Sequence, residues 1–173
     1  MIHWLGDNWS SLASIIGLAI GGVFALIQWH NSTQLKRSEF INQIIEKLRF
    51  NSEIAKAMYL VDYDQKWYDE NFHGASEKEL VIDKLLSYLS YICYLISENH
   101  LTKNESSILE YELIRACESL SVQAYLYNLY HFSKKRKSMC SFQYLIDYGL
   151  KLKIIPETFL EESSSAYPKY LNF

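Results

Sequence analysis

The chain has 173 residues, of which 49% are hydrophobic and 21% are charged. This balance excludes a disordered or supercharged chain, and the net charge of −3 gives no support for bulk nucleic-acid binding. The sequence is rich in Leu, Ile, Glu, Lys and Ser, and it contains only two prolines and six glycines. Since few turns can form, the composition predicts an all-α protein.

The first thirty residues contain an uncharged segment, Ser10–Trp29, in which Gln28 is the only strongly polar side chain. Twenty apolar residues are enough to cross the hydrocarbon core of a bilayer. A signal peptide would begin with basic residues, and the first nine residues contain no Lys or Arg. Trp4, Trp9 and Trp29 flank the segment as interfacial tryptophans do. We therefore expect a transmembrane helix over residues 10–30.

Basic residues set the expected orientation of this helix. Lys36, Arg37, Lys47 and Arg49 all follow it, and no basic residue precedes it. Because positive flanks stay in the cytoplasm, we expect a single-pass protein of the inner membrane with residues 1–9 outside. A cytoplasmic helical bundle is expected over residues 31–155. The tail over residues 156–173 is predicted to be loosely ordered or to lie across a neighbouring subunit.

Small residues line one side of the expected span. Six of them fall within an arc of about 120° on a helical projection. In lipid, such a face lets two helix backbones approach closely, so it favours a homo-oligomer. The alternative is that glycine is simply common in membrane helices. The residues of this small-residue stripe, which pack together or line a pore, are Ser10, Ala13, Ser14, Gly17, Gly21 and Ala25.

The body is predicted to contain four long helices. The apolar spacing over Thr33–Val61 has a period near 3.6 and continues the span, with at most a brief break near Asn31–Thr33. A capping box at Ser76 and Glu79 opens a central helix that ends near Glu98, with Asn99 as its stop. A second capping box at Thr102 and Glu105 opens a helix ending near Phe132, and a last helix spans Ser141–Lys153 before Pro156.

The connection over residues 62–76 mixes acidic residues with the aromatics Tyr63, Trp67, Tyr68 and Phe72. Gly74 is expected to supply a flexible backbone position. Such a segment either binds a ligand by stacking or pins the loop onto the helices beneath it.

A basic run follows the third body helix and has three interpretations. Its cations complement the helix dipole, contact anionic lipid headgroups, or contact the phosphates of RNA or of a nucleotide. The sequence alone leaves direct nucleic-acid binding open. The residues are Lys134, Lys135, Arg136 and Lys137.

Catalytic chemistry is not indicated. No P-loop, dinucleotide-binding glycine motif, nucleophile elbow or zinc-protease motif occurs, so no enzyme activity and no cofactor are expected. Cys93, Cys117 and Cys140 are far apart, with no His at ligand spacing; they predict reduced thiols on helix faces and no metal site. None of the four arginines is followed by His at the spacing of HEPN-type RNases, although Arg115 and His131 can meet through folding.

The stretches WYDENFHGASEKELVIDKLLSYLSYICYL, YNLYHFSKK and FQYLIDYG, within Trp67–Gly149, resemble a widespread family of small bacterial helical proteins with one N-terminal span. In length and layout the chain is also similar to the small membrane accessory proteins of type VI-B CRISPR systems. That second resemblance implies an oligomeric membrane pore and an RNA-guided nuclease effector as partner. The residues that carry the first are Trp67, Phe72, His73, Gly74, Asp83, Lys84, Tyr127, His131 and Phe132.

Together these observations predict an oligomeric membrane effector. Its spans are expected to form a pore or to perturb the bilayer under control of the cytoplasmic domain, in anti-phage defence. A non-conducting, membrane-anchored scaffold is the second hypothesis, and a divergent helical RNase is the third.

Overall fold

The structure is a computed structural model that describes residues 9–63, 67–68 and 73–171, with every side chain except those of residues 10 and 12. In this part of the chain it contains seven α-helices, one 3-10 helix and no strand, so the predicted all-α class is confirmed. The chain divides into two compact units, Met1–Ile44 and Ile45–Phe173. The helices are α1 (Trp9–Arg49), α2 (Ser52–Asp62), α3 (Glu77–Ser97), α4 (Lys103–Ser107), α5 (Glu110–Glu118), α6 (Leu120–Lys135) and α7 (Gln143–Lys151); the 3-10 helix is Glu157–Leu160.

Helix α1 is the longest element, with 41 residues, which corresponds to about 60 Å at the usual helical rise. Its Ala13–Arg49 part has the length and composition of a membrane span or of a signal sequence. The helix is not broken near Asn31–Thr33. There the hydroxyl of Thr33 donates to the Trp29 carbonyl at 2.8 Å, a bond that helices accommodate in their interior.

The break lies at Asn51 instead, so the prediction of one helix over Thr33–Val61 is wrong. The Asn51 side chain accepts hydrogen bonds from the backbone N–H groups of Glu53 and Ile54, at 3.0 and 3.2 Å. An asparagine in this position satisfies the free donors at the start of α2 and favours a new helix. The apolar spacing carries on across the short break, which is why periodicity did not reveal it.

Helix α3 is the centre of the body, as predicted, and it packs against α2 and α7. It is also apolar and long enough to pass as a membrane span, but its apolar face is used inside the protein. Burying each such side chain is worth about 1.5–3 kcal/mol. The fully buried residues of this face are Ile82, Leu85, Leu86, Leu89 and Ile92.

The ends of α3 fall where the sequence predicts them. The Ser76 hydroxyl accepts from the Glu79 N–H at 3.2 Å and begins the helix. Asn99 adopts a left-handed φ of 58°, and the His100 N–H donates back to the Leu95 carbonyl at 2.8 Å. This is a Schellman motif, in which Asn is the second most favourable residue after Gly.

The long helix expected after Thr102 is divided into α4, α5 and α6, so that prediction is wrong. The capping box itself is present, because Thr102 and Glu105 exchange side-chain to backbone hydrogen bonds. The division before α6 comes from Ser119, whose backbone is extended and whose hydroxyl accepts from the Val122 N–H. Serine competes with helical hydrogen bonding in this way wherever a cap can form.

Helix α7 is shorter than the predicted Ser141–Lys153, and the chain after it is closely packed. A Cβ at Gly149 would lie 2.6 Å from the Ile155 side chain, so a larger residue would require Ile155 to move. The tail is neither loose nor extended away from the chain over residues 156–171. Phe159 and Tyr167 are buried, and the tail is hydrogen-bonded to α6 of its own chain.

Candidate functional site

The apolar surface of α1 is the first candidate site. The large apolar side chains from Ile15 to Trp29 are all exposed, between 52% at Ile27 and 77% at Leu18. Burial of one such side chain stabilises by about 1.5–3 kcal/mol. Covering the apolar surface of α1 would therefore be strongly favourable. The backbone polar groups, in contrast, are bonded within the helix, which is the condition for entering hydrocarbon.

The small-residue stripe lies on this same helix. Ala13, Ser14, Gly17, Gly21 and Ala25 are exposed, whereas the side chain of Ser10 is outside the described part. A Cβ built at Gly17 or Gly21 meets no atom within 4 Å. The face is therefore open to the close approach of another helix backbone, which is what small-residue packing requires. The packing itself stays a prediction.

A partly buried polar cluster in the body is the second candidate. The Tyr125 hydroxyl lies 3.0 Å from Asp83 Oδ1 and 3.3 Å from Glu79 Oε1, and it is also 3.3 Å from Nδ1 of His73. The ring of Trp67 packs edge-on against that of Tyr125, with centroids 4.8 Å apart. The cluster thus joins α6, α3 and the turn before α3.

The chemistry of this cluster is that of a structural tie. Burial first, and then the neighbouring charges of Asp83 and Glu79, raise the pKa of the Tyr125 hydroxyl, so it stays protonated. The Tyr125 hydroxyl has a single proton, so it can donate to only one of the two carboxylates at a time. Within the described residues, no group of three or more His, Cys, Asp and Glu side chains is placed to hold a metal ion. The indole N–H of Trp67 is buried and has no hydrogen-bond partner among those residues.

In the described part of the connecting loop, Trp67 and Tyr68 pack against the body, as the second of the two interpretations expects. Trp67 is only 4% exposed, and the Tyr68 ring contacts those of Tyr125 and Tyr170, with centroids 5.7 and 5.2 Å apart. These two aromatics pin the loop onto the helices. The positive φ angles in the turn belong to His73 and Ala75, not to Gly74, and the flexibility expected of Gly74 stays a prediction.

The residues that carry the family resemblance separate into two groups. Trp67, His73 and Asp83 meet at Tyr125, while Lys84, next to Asp83, binds Glu53 on the surface at 2.8 Å. Tyr127, His131 and Phe132 lie further along α6, and the first two contact the tail. Phe72 is outside the described residues. The sequence pattern identified Tyr125 only as a position on the apolar face of a helix, and Glu79 only as a cap residue.

The contact between α6 and the tail is the third candidate. The Tyr127 hydroxyl is shared between the carbonyls of Glu161 and Glu162, at 3.0 and 2.9 Å. His131 donates from Nε2 to the Phe159 carbonyl at 2.9 Å. Burial lowers the pKa of His131, although this hydrogen bond partly opposes the shift.

Asn128 makes the densest set of hydrogen bonds in this contact. Its Nδ2 donates to the carbonyls of Ala124 and Pro168, and its Oδ1 accepts from the N–H groups of Tyr170 and Leu171. The side chain is fully buried, and both donors and both lone pairs of its amide are used. Three of the four bonds go to the tail.

The basic run lies at the C-terminal end of α6, where the helix-dipole interpretation expects it. Lys134 and Lys135 form the last turn of α6, Arg136 is its C-cap, and Lys137 follows with a left-handed φ of 56°. All four side chains are exposed, and the Arg136 guanidinium lies 4.5 Å from the centre of the Phe132 ring. Cations at this end complement the helix dipole. Contacts to lipid or RNA stay predictions.

An RNase site gains no support from the surroundings of Arg115 and His131. The Arg115 guanidinium donates to Asp62 at 3.2 Å and to Glu118 at 3.4 Å. His131 is 3% exposed and directs its Nε2 to the tail. A histidine that acts on RNA must be reachable by a substrate.

The three cysteines are buried and free, and the predicted placement on helix faces is wrong for Cys140. Cys93 and Cys117 lie on helix faces, whereas Cys140 lies in the loop before α7. Burial raises the pKa of Cys117 to about 12 and also raises those of the other two thiols. Thiols of this kind are unreactive near neutral pH.

Comparison with protein-family models, with curated proteins and with solved structures finds no match to this chain. Its function is therefore inferred from its own residues.

Proposed function

We propose that this chain is an oligomeric membrane effector. Its N-terminal helices associate in the bilayer through the small-residue stripe and form a pore or perturb the membrane, under control of the helical body. The setting is anti-phage defence with an RNA-guided nuclease effector as partner, a part of the proposal that rests on the resemblance to type VI-B CRISPR accessory proteins.

The observation that carries the membrane part is the exposure of α1. Every large apolar side chain from Ile15 to Trp29 is at least half exposed. A water-soluble protein rarely exposes a contiguous apolar surface of this length. Lipid would cover the bulky side chains, and the open face at Gly17 and Gly21 would then be left for a second helix.

The orientation of the proposal places the body in the cytoplasm and the N-terminus outside the inner membrane. It is supported by the positions of Lys36 and Arg37 soon after the apolar segment, with none before it. The buried thiols of the body support the same side, because a reducing compartment keeps such cysteines unbonded.

A non-conducting scaffold is the second candidate, and one observation favours it. Between Ala13 and Trp29 the only polar side chains, apart from the indole of Trp29, are those of Ser14 and Gln28. A water-filled channel usually presents more polar groups to its lumen. In this alternative the stripe holds copies together, and the body recruits a partner without any flow of ions.

The experiment reconstitutes the full chain in liposomes and measures both dye release and particle size. Wild type should form one oligomer and release dye. Gly17→Leu with Gly21→Leu should lose both properties, because a leucine on the stripe keeps the backbones apart. The matched control, Ala19→Leu with Gly22→Leu, puts the same side chains at about 120° or more from the centre of the stripe and should keep both.

Two outcomes contradict parts of this proposal separately. An intact wild-type oligomer that releases no dye would exclude the pore and leave the scaffold. An unchanged particle size in the stripe variant would show that these glycines do not form the contact.

A further inference from the structure

One face of α6 carries a row of buried polar side chains, which is unusual for a helix that also belongs to a core. Its members stand at i, i+4, i+5 and i+8, so they share one side of the helix. All are at least nine-tenths buried, although polar groups are costly to bury without partners. The residues of this α6 face are Gln123, Tyr127, Asn128 and His131.

The partners of the α6 face are mainly backbone groups of the tail. Tyr127 and His131 donate to tail carbonyls, and Asn128 binds one carbonyl and two N–H groups. Proteins that bind extended peptides also use hydrogen bonds to the peptide main chain. These bonds provide affinity, and pockets for a few side chains provide specificity.

Two aromatic side chains of the tail fill such pockets. The Phe159 ring contacts that of Tyr127 edge-on, with centroids 5.6 Å apart. The Tyr167 ring stacks on Tyr127 at 4.8 Å, and its hydroxyl donates to Gln123 Oε1 at 2.9 Å. A segment that occupies the face therefore needs an apolar aromatic and, eight residues later, a tyrosine.

We propose that the α6 face is a peptide-binding site, that its ligand is the segment 157–171 of this protein, and that a second copy of the chain can supply it. The segment carries both aromatic anchors at the required spacing. The segment is joined to the body through Pro156, which is exposed, as are Glu157 and Thr158 at the start of the segment. This inference does not depend on the proposed membrane function.

Within one chain, the attached tail competes with any incoming copy. A tethered ligand acts at an effective concentration in the millimolar range, so the wild-type site is largely occupied. Binding from outside becomes measurable once the attached tail is weakened and the α6 face is left intact.

The test uses a fluorescent synthetic peptide of residues 157–171 and the full chain in detergent. Phe159→Ala with Tyr167→Ala weakens the attached tail; this variant should bind the peptide at least tenfold more tightly than wild type. Adding Asn128→Ala should reverse that gain at least tenfold. The matched control is a peptide that carries the same two alanines, which should not bind. The readout is fluorescence anisotropy, with helix content checked by circular dichroism.

The proposal is overturned if the tail variant keeps its helix content and does not bind the peptide, or if Asn128→Ala makes no difference. A second protein covers the case in which the tail variant unfolds. It has a protease recognition sequence inserted between Pro156 and Glu157 and is cleaved after folding. Exchange of the released tail for labelled peptide supports the proposal, and a cleaved, folded protein that takes up no peptide overturns it.

Discussion

Helices α1 and α6 depart from the usual placement of side chains in opposite directions. In α1 the apolar residues are outside, with Leu18 at 77% exposure. In α6 the polar residues are inside, with Asn128 fully buried. Both arrangements would be unfavourable in isolation, because exposed apolar surface and unpaired buried polar groups each cost free energy. Each helix therefore indicates what must cover it.

The two helices differ in where that cover comes from. For α6 it lies in the same chain, since the tail supplies the hydrogen-bond partners. For α1, no atom of the described residues lies within 4 Å of a Cβ built at Gly17 or Gly21, so this face has no such cover. An exposed apolar surface of this kind favours association with another medium or another molecule. The following changes test this difference, from the largest expected effect to the smallest.

Removing the most buried anchor of the tail should have the largest effect. Phe159 is fully buried, so Phe159→Ala should destabilise the body by about 3–5 kcal/mol. Denaturant unfolding in detergent, followed by circular dichroism, measures the change. The neighbouring Leu160 is 40% exposed, and Leu160→Ala should cost less than about 1 kcal/mol. Equal costs for the two changes would contradict the docked tail.

A charge on α1 should act on membrane insertion instead of on folding of the body. Leu18→Lys should disfavour insertion by about 3 kcal/mol, since lysine is poorly tolerated at the centre of a span. Resistance of the membrane-bound chain to alkaline extraction measures the effect. Leu152→Lys, after α7, is the control and should leave extraction unchanged. If Leu18→Lys is extracted like wild type, α1 is not the inserted segment.

Truncating Asn128 tests whether the buried polar groups of α6 depend on the tail. Asn128→Ala leaves one carbonyl and two N–H groups of the tail without partners, which should cost about 1–3 kcal/mol. The same denaturant titration measures it. Asn104→Ala, at an exposed position of α4, should be neutral. A neutral Asn128→Ala would show that the tail bonds contribute nothing to stability.

Acid should loosen the same contact through His131. Its pKa is lowered in the folded protein, mainly by burial, so the unfolded chain binds the proton more readily. Stability is therefore full above the ordinary value of 6.5 and falls as the pH drops through it toward the folded pKa. Unfolding titrations between neutral and mildly acidic pH measure this slope. His131→Gln keeps a donor but does not titrate, so its slope should be flatter; an unchanged slope would assign the effect to another group.

The sequence predicted the elements whose signals are local. The span-like helix follows from composition, and the ends of α3 follow from Ser76 and Asn99, which act within one turn of their own position. The breaks at Asn51 and Ser119 also have local capping residues, but the apolar spacing on both sides keeps the same helical period. Periodicity therefore outweighed the caps, and both of these breaks were missed, as was the division between α4 and α5.

The sites could be predicted only in part, because their partners are distant in sequence. His131 was singled out by resemblance, but its partner Phe159 lies 28 residues away and contributes only a carbonyl, which every residue has. Tyr125 looked like one of fourteen tyrosines until the fold brought Asp83 and Glu79 to its hydroxyl. Backbone acceptors and buried hydroxyl pairs leave no pattern in the sequence.

The amide of Asn128 presents a C=O and an N–H, as a peptide unit does, so the tail pairs with it as it would with a neighbouring β-strand. Such pairing uses backbone groups and does not depend on the side chains of the tail. It requires an N–H group at Tyr170 and at Leu171, whereas at Pro168 it requires only the carbonyl. Proline lacks that N–H. The single proline of the segment 157–171 stands at 168, the one position of the three where its defect is harmless. Proline is therefore compatible with the docked tail at position 168. Tyr170→Pro or Leu171→Pro would instead remove an N–H group that binds Asn128.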